Sequence, residues 1–146
     1  GGVEVEHLKT VACELLLNNV LFIPRMPMSE VGQVLAAADV LLVHLRNDPL
    51  FEITVSSKTQ AYMAVGKPIL MAVSGDAANL IEEASCGLAV QAENETAIAE
   101  AVLTLAAMPH DALVAMGRRG AKYYQEELSL EVGVKKFVEV FEDVAR

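Results

Sequence analysis

Basic residues are scarce in this chain of 146 residues: 11 Lys and Arg stand against 20 Asp and Glu, which gives a formal net charge of -9. Nucleic acids and anionic membrane surfaces bind basic faces, so this balance argues against either one as the main partner.

Cysteine is scarce as well. The two cysteines, Cys13 and Cys86, are far apart and lie in apolar helical contexts. This predicts free, buried thiols in a reducing compartment.

Long apolar runs are also absent. The longest candidate, VLAAADVLLVHL, is interrupted by Asp39 and falls short of the roughly 18 apolar residues that a membrane-spanning helix needs. No basic segment followed by an apolar one opens the sequence. We therefore expect a soluble, cytoplasmic protein. The glycine patterns of phosphate and dinucleotide loops, metal-ligand spacings and nucleophile motifs are missing too, so we expect no metal and no cofactor.

The chain does contain an alternation of helical patterns with short, continuously apolar strands. This pattern is typical of a parallel sheet that is covered by helices on both faces. We therefore predict one α/β domain, residues 1–146, with an open, doubly wound parallel sheet. Its predicted strands are residues 20–23, 40–45, 68–73 and 88–90, and its predicted helices are residues 4–17, 29–38, 57–65, 77–85, 95–107, 110–127 and 130–145.

In such sheets a ligand lies beyond the carboxyl ends of the strands, where loops meet helix amino ends. Three loops fit this position: residues 24–26, 45–57 and 74–76. The second leads into Ser56-Ser57-Lys58-Thr59, at the start of a predicted helix. Free N–H groups, the helix dipole and a lysine would favour an anion there. The alternative is that a serine simply caps the helix and that Lys58 is solvated.

The loop before this helix holds further polar residues. His44 ends a predicted strand and acts either on a bound sugar or phosphate or as a hydrogen-bonded structural residue. Arg46, Asp48 and Glu52 follow it closely. They form either the polar rim of a pocket or a solvated loop.

Taken in order, the segments of the chain resemble the C-terminal half of GT-B retaining glycosyltransferases, of the bacterial type that makes capsule, O-antigen and colanic-acid polysaccharides. The similarity covers almost the whole chain, and its specificity lies in the order and spacing of the motifs. The matching segments are NNVLFIPRMPMSEVGQVLAAADVLLVHL, SSKTQAYMAVGKPILMAVSGDAANLI, CGLAV with ENETAIAEAVLTLA, and MGRRGAKYYQEELSLEVGVKKFVEVF.

The resemblance implies a domain of the Rossmann-like kind that binds a nucleotide-diphosphate sugar of the UDP or GDP type. A complete enzyme of this kind transfers the sugar to a polysaccharide or lipid-linked acceptor, in the cytoplasm or at the membrane periphery. The implied contacts are Pro24, Arg25 and Met26 for the base, Ser57, Lys58 and Thr59 for the diphosphate, and Glu52, Gln60, Gly75 and Asp76 near the ribose and the sugar.

The sequence departs from the family pattern in three ways. Ile53 and Ala61 replace two glutamates, the second of which binds ribose, and Ser56 replaces a proline. The chain also begins late relative to the family domain, so we expect a domain truncated at its N-terminus, without the acceptor-binding domain.

This late start has consequences for the sheet and for activity. In the family two further strands lie between 20–23 and 40–45; here these strands either pair directly or leave a gap that another chain or segment fills. The apolar stripe of the last helix favours self-association, and the fragment alone is expected to be inactive.

The alternatives to a glycosyltransferase are a non-catalytic interaction module and a nucleotide-sugar epimerase of the same fold.

Overall fold

The computed structural model describes residues 2–145, and these form two compact units that divide between residues 32 and 33. The first unit contains helix α1, Val5–Glu14, and the segment that follows it. Helix α2, Met28–Ala37, contains the boundary between the units. The expectation of one domain over residues 1–146 stays a prediction.

The second unit is an α/β structure whose three strands form one parallel sheet in the order β1-β2-β3. Leu41 pairs with Ile69, and Ile69 pairs with Gly87. The predicted open parallel sheet is therefore confirmed. The elements after α2 are β1 Leu41–His44, α3 Pro49–Glu52, α4 Ser57–Val65, β2 Ile69–Ala72, α5 Asp76–Glu83, β3 Gly87–Val90, α6 Glu95–Ala106, α7 His110–Tyr123, a π-helical segment Tyr124–Leu128, and α8 Leu130–Val144.

Helix α4 shows how the local sequence sets the element boundaries. Ser56 is its N-cap, and its hydroxyl oxygen accepts a hydrogen bond from the Thr59 backbone N–H at 3.4 Å. At the other end Gly66 adopts a left-handed conformation with φ of 74°, which costs glycine little. Pro68 then leads into β2. Both ends of this helix match the prediction from sequence.

The core consists of two clusters, one on each face of the sheet. On the first face, Met63 of α4 and Ile81 of α5 pack against Val43, Ile69 and Met71. On the second face, α6 and α7 cover β2 and β3 through the buried residues Leu70, Ala101, Leu105 and Met116. Leu42, which pairs with Leu70 and so faces the same side, is 50% exposed. Over β1, the described residues therefore leave this face open.

Residues 20–23 do not form the predicted strand. They have no regular secondary structure, and Val20, Leu21 and Ile23 are exposed. A short apolar segment becomes a strand only when a neighbouring strand pairs its backbone groups, and among residues 2–145 none pairs with this one. Of the two alternatives for this segment, direct pairing with residues 40–45 is therefore not found among residues 2–145.

Two further differences concern a loop and a thiol. The loop of residues 45–57 contains the one-turn helix α3, which begins at Pro49 with Asp48 as its cap. Cys13 is exposed, which corrects its prediction as a buried thiol, while Cys86 is buried and both are free. Burial raises the pKa of the Cys86 thiol to about 11, because a thiolate is poorly solvated there.

No single described helix is long and apolar enough to cross a membrane. One pair, Glu95–Ala106 with His110–Val144, reaches the required length and composition jointly, but the two parts are bent by 112°.

Two glycines in helix interiors provide a matched test of the packing. A Cβ on Gly117 in α7 would lie 2.0 Å from the Gly66 carbonyl oxygen, whereas a Cβ on Gly133 in α8 meets nothing within 4 Å. We predict that Gly133→Ala raises the free energy of unfolding by about 0.5–1 kcal/mol through helix propensity, and that Gly117→Ala lowers it by about 1–3 kcal/mol through overpacking. Urea denaturation measures both, and equal effects would contradict the close packing of α7 on Gly66.

Candidate functional site

The candidate site lies at the carboxyl ends of the strands, where the segments after β1 and β2 contact each other. After β1 the chain forms α3, whose cap is the Asp48 carboxylate: its Oδ1 accepts a hydrogen bond of 2.9 Å from the Leu50 N–H. The loop after β2 turns at Gly75, with φ of 84°. A Cβ there would lie 2.1 Å from the Glu52 carbonyl oxygen. Gly75 is therefore required by a close approach to the Glu52 backbone.

This contact unites three of the four residues predicted near the ribose and the sugar. Glu52 and Gly75 touch, and Asp76 follows as the first residue of α5, with an exposed side chain. Gln60 instead lines an open groove of about 470 Å³ beside Tyr124, Leu128 and residues of α8. The prediction of these four as ribose and sugar contacts stays a prediction.

The Ser56–Thr59 segment serves two different purposes. Thr59 is fully buried, and its hydroxyl oxygen lies 3.2 Å from the Ser56 hydroxyl oxygen, so these two residues close the start of α4. Ser57 and Lys58 are exposed. Lys58 forms no ion pair with any residue from 2 to 145. The N-cap expected from the alternative interpretation, in which a serine simply caps the helix, is present. It leaves Ser57 and Lys58 available to a ligand.

The first turn of α4 differs in charge from the first turns of the other described α-helices. It contains no acidic residue and one lysine. Each of the others has an Asp or Glu there: Glu6, Glu30, Glu52, Asp76, Glu95, Asp111 and Glu131. A carboxylate at a helix amino end neutralises the dipole and repels a second anion. Among the described helices, α4 therefore offers the amino end best suited to a phosphate.

The remaining predicted residues are placed as follows. Pro24 and Arg25 are exposed and Met26 is half-buried, all in the first unit and without regular secondary structure; their role as base contacts stays a prediction. His44 is exposed at the end of β1. Among residues 2–145 no three His, Cys, Asp or Glu side chains are grouped as metal ligands.

Sequence reasoning missed an open groove of about 470 Å³ that joins the ends of β1 and β3. Its polar lining includes Asn47, Gln91 and Asn94, with Glu93 and Glu95 at its edge. Asn94 also caps α6, since its Oδ1 accepts a hydrogen bond of 3.0 Å from the Ala97 N–H. The position of residues 91–96 could have indicated this groove, because they follow a strand as the other candidate loops do. The acidic edge makes this groove a poor phosphate site.

The comparisons with known proteins concern the family and the fold of the chain. The model of the family described as glycosyl transferases group 1 matches residues 1–108. Among solved structures, a sucrose-phosphate synthase from Thermosynechococcus elongatus superimposes with a TM-score of 0.81 at 19% identity, over 98% of this chain and 35% of that one. HepE from Anabaena, solved in complex with UDP, superimposes with a TM-score of 0.72 at 16% identity, over 95% of this chain and 36% of that one.

These similarities show the fold of one Rossmann-like half of a GT-B structure, and the chain spans little more than a third of each of the two solved proteins. No curated protein matches the chain by sequence.

Proposed function

Because this chain belongs to the family of group 1 glycosyltransferases, we propose that the amino end of α4 binds the diphosphate of a nucleotide-sugar donor. The observation that carries the proposal is the charge of this helix end: α4 begins with an exposed lysine and without the carboxylate found in the other described α-helices. An anion there gains from the helix dipole and from Lys58, and no neighbouring first-turn carboxylate opposes it.

The donors within α4 are Ser57 and Lys58 rather than Thr59. The Thr59 backbone N–H already bonds to the Ser56 carbonyl oxygen at 3.0 Å, and its hydroxyl is buried. The backbone N–H groups of Ser57 and Lys58 belong to the first turn, where N–H groups have no hydrogen-bond acceptors inside the helix. The diphosphate would therefore be held by these two N–H groups, the Ser57 hydroxyl and the Lys58 ammonium group.

The same charges supply the chemistry. Transfer of the sugar leaves negative charge on the departing diphosphate, and fixed donors that stabilise this charge lower the barrier. The Glu52 backbone contacts Gly75, and Asp76 follows it as the first residue of α5; in our proposal these two carboxylates face the hydroxyl-rich part of the donor rather than its diphosphate. The acceptor would be a polysaccharide or a lipid-linked glycan, with retention of configuration, and the residues described here would supply the donor half of the enzyme.

Two alternatives give different results in one experiment, calorimetric titration with UDP, GDP and inorganic phosphate. A non-catalytic interaction module binds none of them. An epimerase of the same fold binds the nucleotide, and the complete protein then interconverts nucleotide sugars without an acceptor.

We predict that Lys58→Ala weakens UDP binding roughly tenfold or more, because a charge-assisted hydrogen bond to phosphate is worth about 1.5–3 kcal/mol. The matched control is Lys122→Ala on α7, whose ammonium group is exposed and lies 3.9 Å from the Glu126 carboxylate. Isothermal titration calorimetry measures both. If the two variants bind UDP equally, α4 is not the diphosphate site.

A second prediction concerns the ribose. Ala61 is exposed and lies three residues after Lys58, on the same face of α4. We predict that Ala61→Glu strengthens binding of UDP more than that of pyrophosphate, because its carboxylate accepts from ribose hydroxyls that pyrophosphate lacks. An equal response of both ligands would place Ala61 away from the ribose.

Helix α8 carries the proposed contact to the rest of the enzyme. Phe137 and Phe141 stack with ring centroids 6.4 Å apart and are 68% and 69% exposed. Leu130, Val134 and Val138 continue this stripe and are exposed too. An apolar stripe of this extent marks an interface. We propose that it packs against the other domain of the complete transferase, and that the isolated chain self-associates through it.

We predict that the isolated chain sediments as a concentration-dependent mixture, and that the double variant Phe137→Ser, Phe141→Ser shifts it toward monomer. Leu103→Ser, at an exposed leucine of α6, serves as the control and leaves the distribution unchanged. A wild-type chain that stays monomeric over the whole concentration series refutes self-association.

A further inference from the structure

Thr59 is the only polar residue that is buried among the residues that the structure describes, and it is 0% exposed. It lies in the first turn of α4, at the proposed diphosphate site. A hydroxyl group without access to water has to donate its hydrogen to an acceptor in the protein, because an unpaired buried donor is costly. The acceptor of the Thr59 hydroxyl therefore determines how the start of α4 is arranged.

That acceptor is Ser56. The two hydroxyl oxygens lie 3.2 Å apart, and the hydrogen bond between them is the only one that the Thr59 hydroxyl forms within residues 2–145. If Ser56 donated instead, the Thr59 hydrogen would be buried without an acceptor. Ser56 is half-buried, so water or a ligand can accept from its own hydroxyl. The hydrogen bond therefore runs from Thr59 to Ser56.

The Ser56 hydroxyl is oriented by this bond. A serine hydroxyl has one hydrogen to donate and two lone pairs that accept. Its oxygen accepts from the Thr59 hydroxyl and also, at 3.4 Å, from the Thr59 backbone N–H, so one residue occupies both acceptor positions. The remaining hydrogen points away from Thr59 and has no acceptor among residues 2–145. Ser56 directly precedes the exposed residues Ser57 and Lys58, so this hydrogen is available to the same ligand.

We propose that the Ser56 hydroxyl donates a hydrogen bond to a phosphate oxygen of the nucleotide-sugar donor, and that Thr59 is the positioning residue that aims it. This inference rests on the proposed function. A proline at this position, as in the family pattern, has no hydroxyl to donate, so Ser56 adds a donor that the pattern lacks. The Thr59 hydroxyl acts through Ser56 and does not contact the diphosphate.

Substitutions of Ser56 test the donor by calorimetric titration with UDP and with pyrophosphate. Ser56→Gly removes the hydroxyl but still suits a helix N-cap. It is expected to weaken binding of both ligands roughly tenfold or more, as for loss of a hydrogen bond to a charged group. Ser56→Thr keeps a hydroxyl and is expected to bind both ligands as the wild type does. The control is Ser129→Gly, which is expected to leave the affinities unchanged, because Ser129 caps α8 through a bond of the same length, 3.4 Å, from the Val132 N–H.

Substitutions of Thr59 test its positioning role. Thr59→Val keeps the branched shape but removes the hydroxyl, so the Ser56 hydroxyl loses its orientation and UDP binding is expected to weaken roughly two- to tenfold. Thr59→Ser restores the hydroxyl and is expected to restore the affinity. If Thr59 acts through Ser56, adding Thr59→Val to Ser56→Gly weakens binding no further. A purely structural effect of the valine would lower the affinity by the same factor in both backgrounds. Circular dichroism verifies that each variant is folded.

The outcomes separate this inference from the proposed function. If the wild-type chain does not bind UDP, or if Lys58→Ala binds it as tightly as the wild type, both are refuted. If the wild type binds UDP and depends on Lys58, but Ser56→Gly binds UDP with wild-type affinity, only the role of Ser56 is refuted. Equal effects of Thr59→Val with and without the Ser56 hydroxyl refute the positioning role of Thr59.

Discussion

The burial of β2 on both faces is the constraint on which the rest of the second unit depends. Ile69, Leu70, Met71 and Ala72 are at most 1% exposed, so α4 and α5 must pack on one side while α6 and α7 pack on the other. Parallel strands require such crossover helices. Each crossover brings the amino end of a helix to the carboxyl edge of the sheet. The site at α4 is therefore a product of the same packing that stabilises the core.

Much of this arrangement follows from local sequence. Ser56, Gly66 and Pro68 fix both ends of α4, and the uninterrupted apolar run after Pro68 identifies the central strand. The cationic start of α4 can likewise be predicted, because the sequence itself contains Lys58 and no acidic residue beside it. Its significance depends on comparison with the other described helices. Their starts agree with the predicted ones to within one residue, except for α3, which was not predicted.

Other features could not be predicted locally. Residues 20–23 have the composition of a strand, yet strand formation requires a partner whose presence no short segment encodes. The close approach of Gly75 to Glu52 joins two loops that are separated by α4 and β2, so no short segment encodes the reason for a glycine at position 75. The family resemblance implied Thr59 as a contact of the diphosphate, whereas its burial against Ser56 depends on the packing of α4 on the sheet, which a short segment does not encode.

Helix α7 also has a mechanical role. Cβ atoms on Gly117 and Gly120 would lie 2.0 Å from the Gly66 carbonyl oxygen and 2.9 Å from the Cys86 Cβ, so the helix is held at its middle by contacts that permit little sliding. Its 14 residues extend for about 21 Å, from His110 to the π-helical turn, where Tyr124 and Leu128 line the groove beside Gln60 of α4. A side chain larger than that of glycine at position 117 or 120 would push α7 away from Gly66 or Cys86. These two glycines therefore set the distance between α7 and the segments on which it packs.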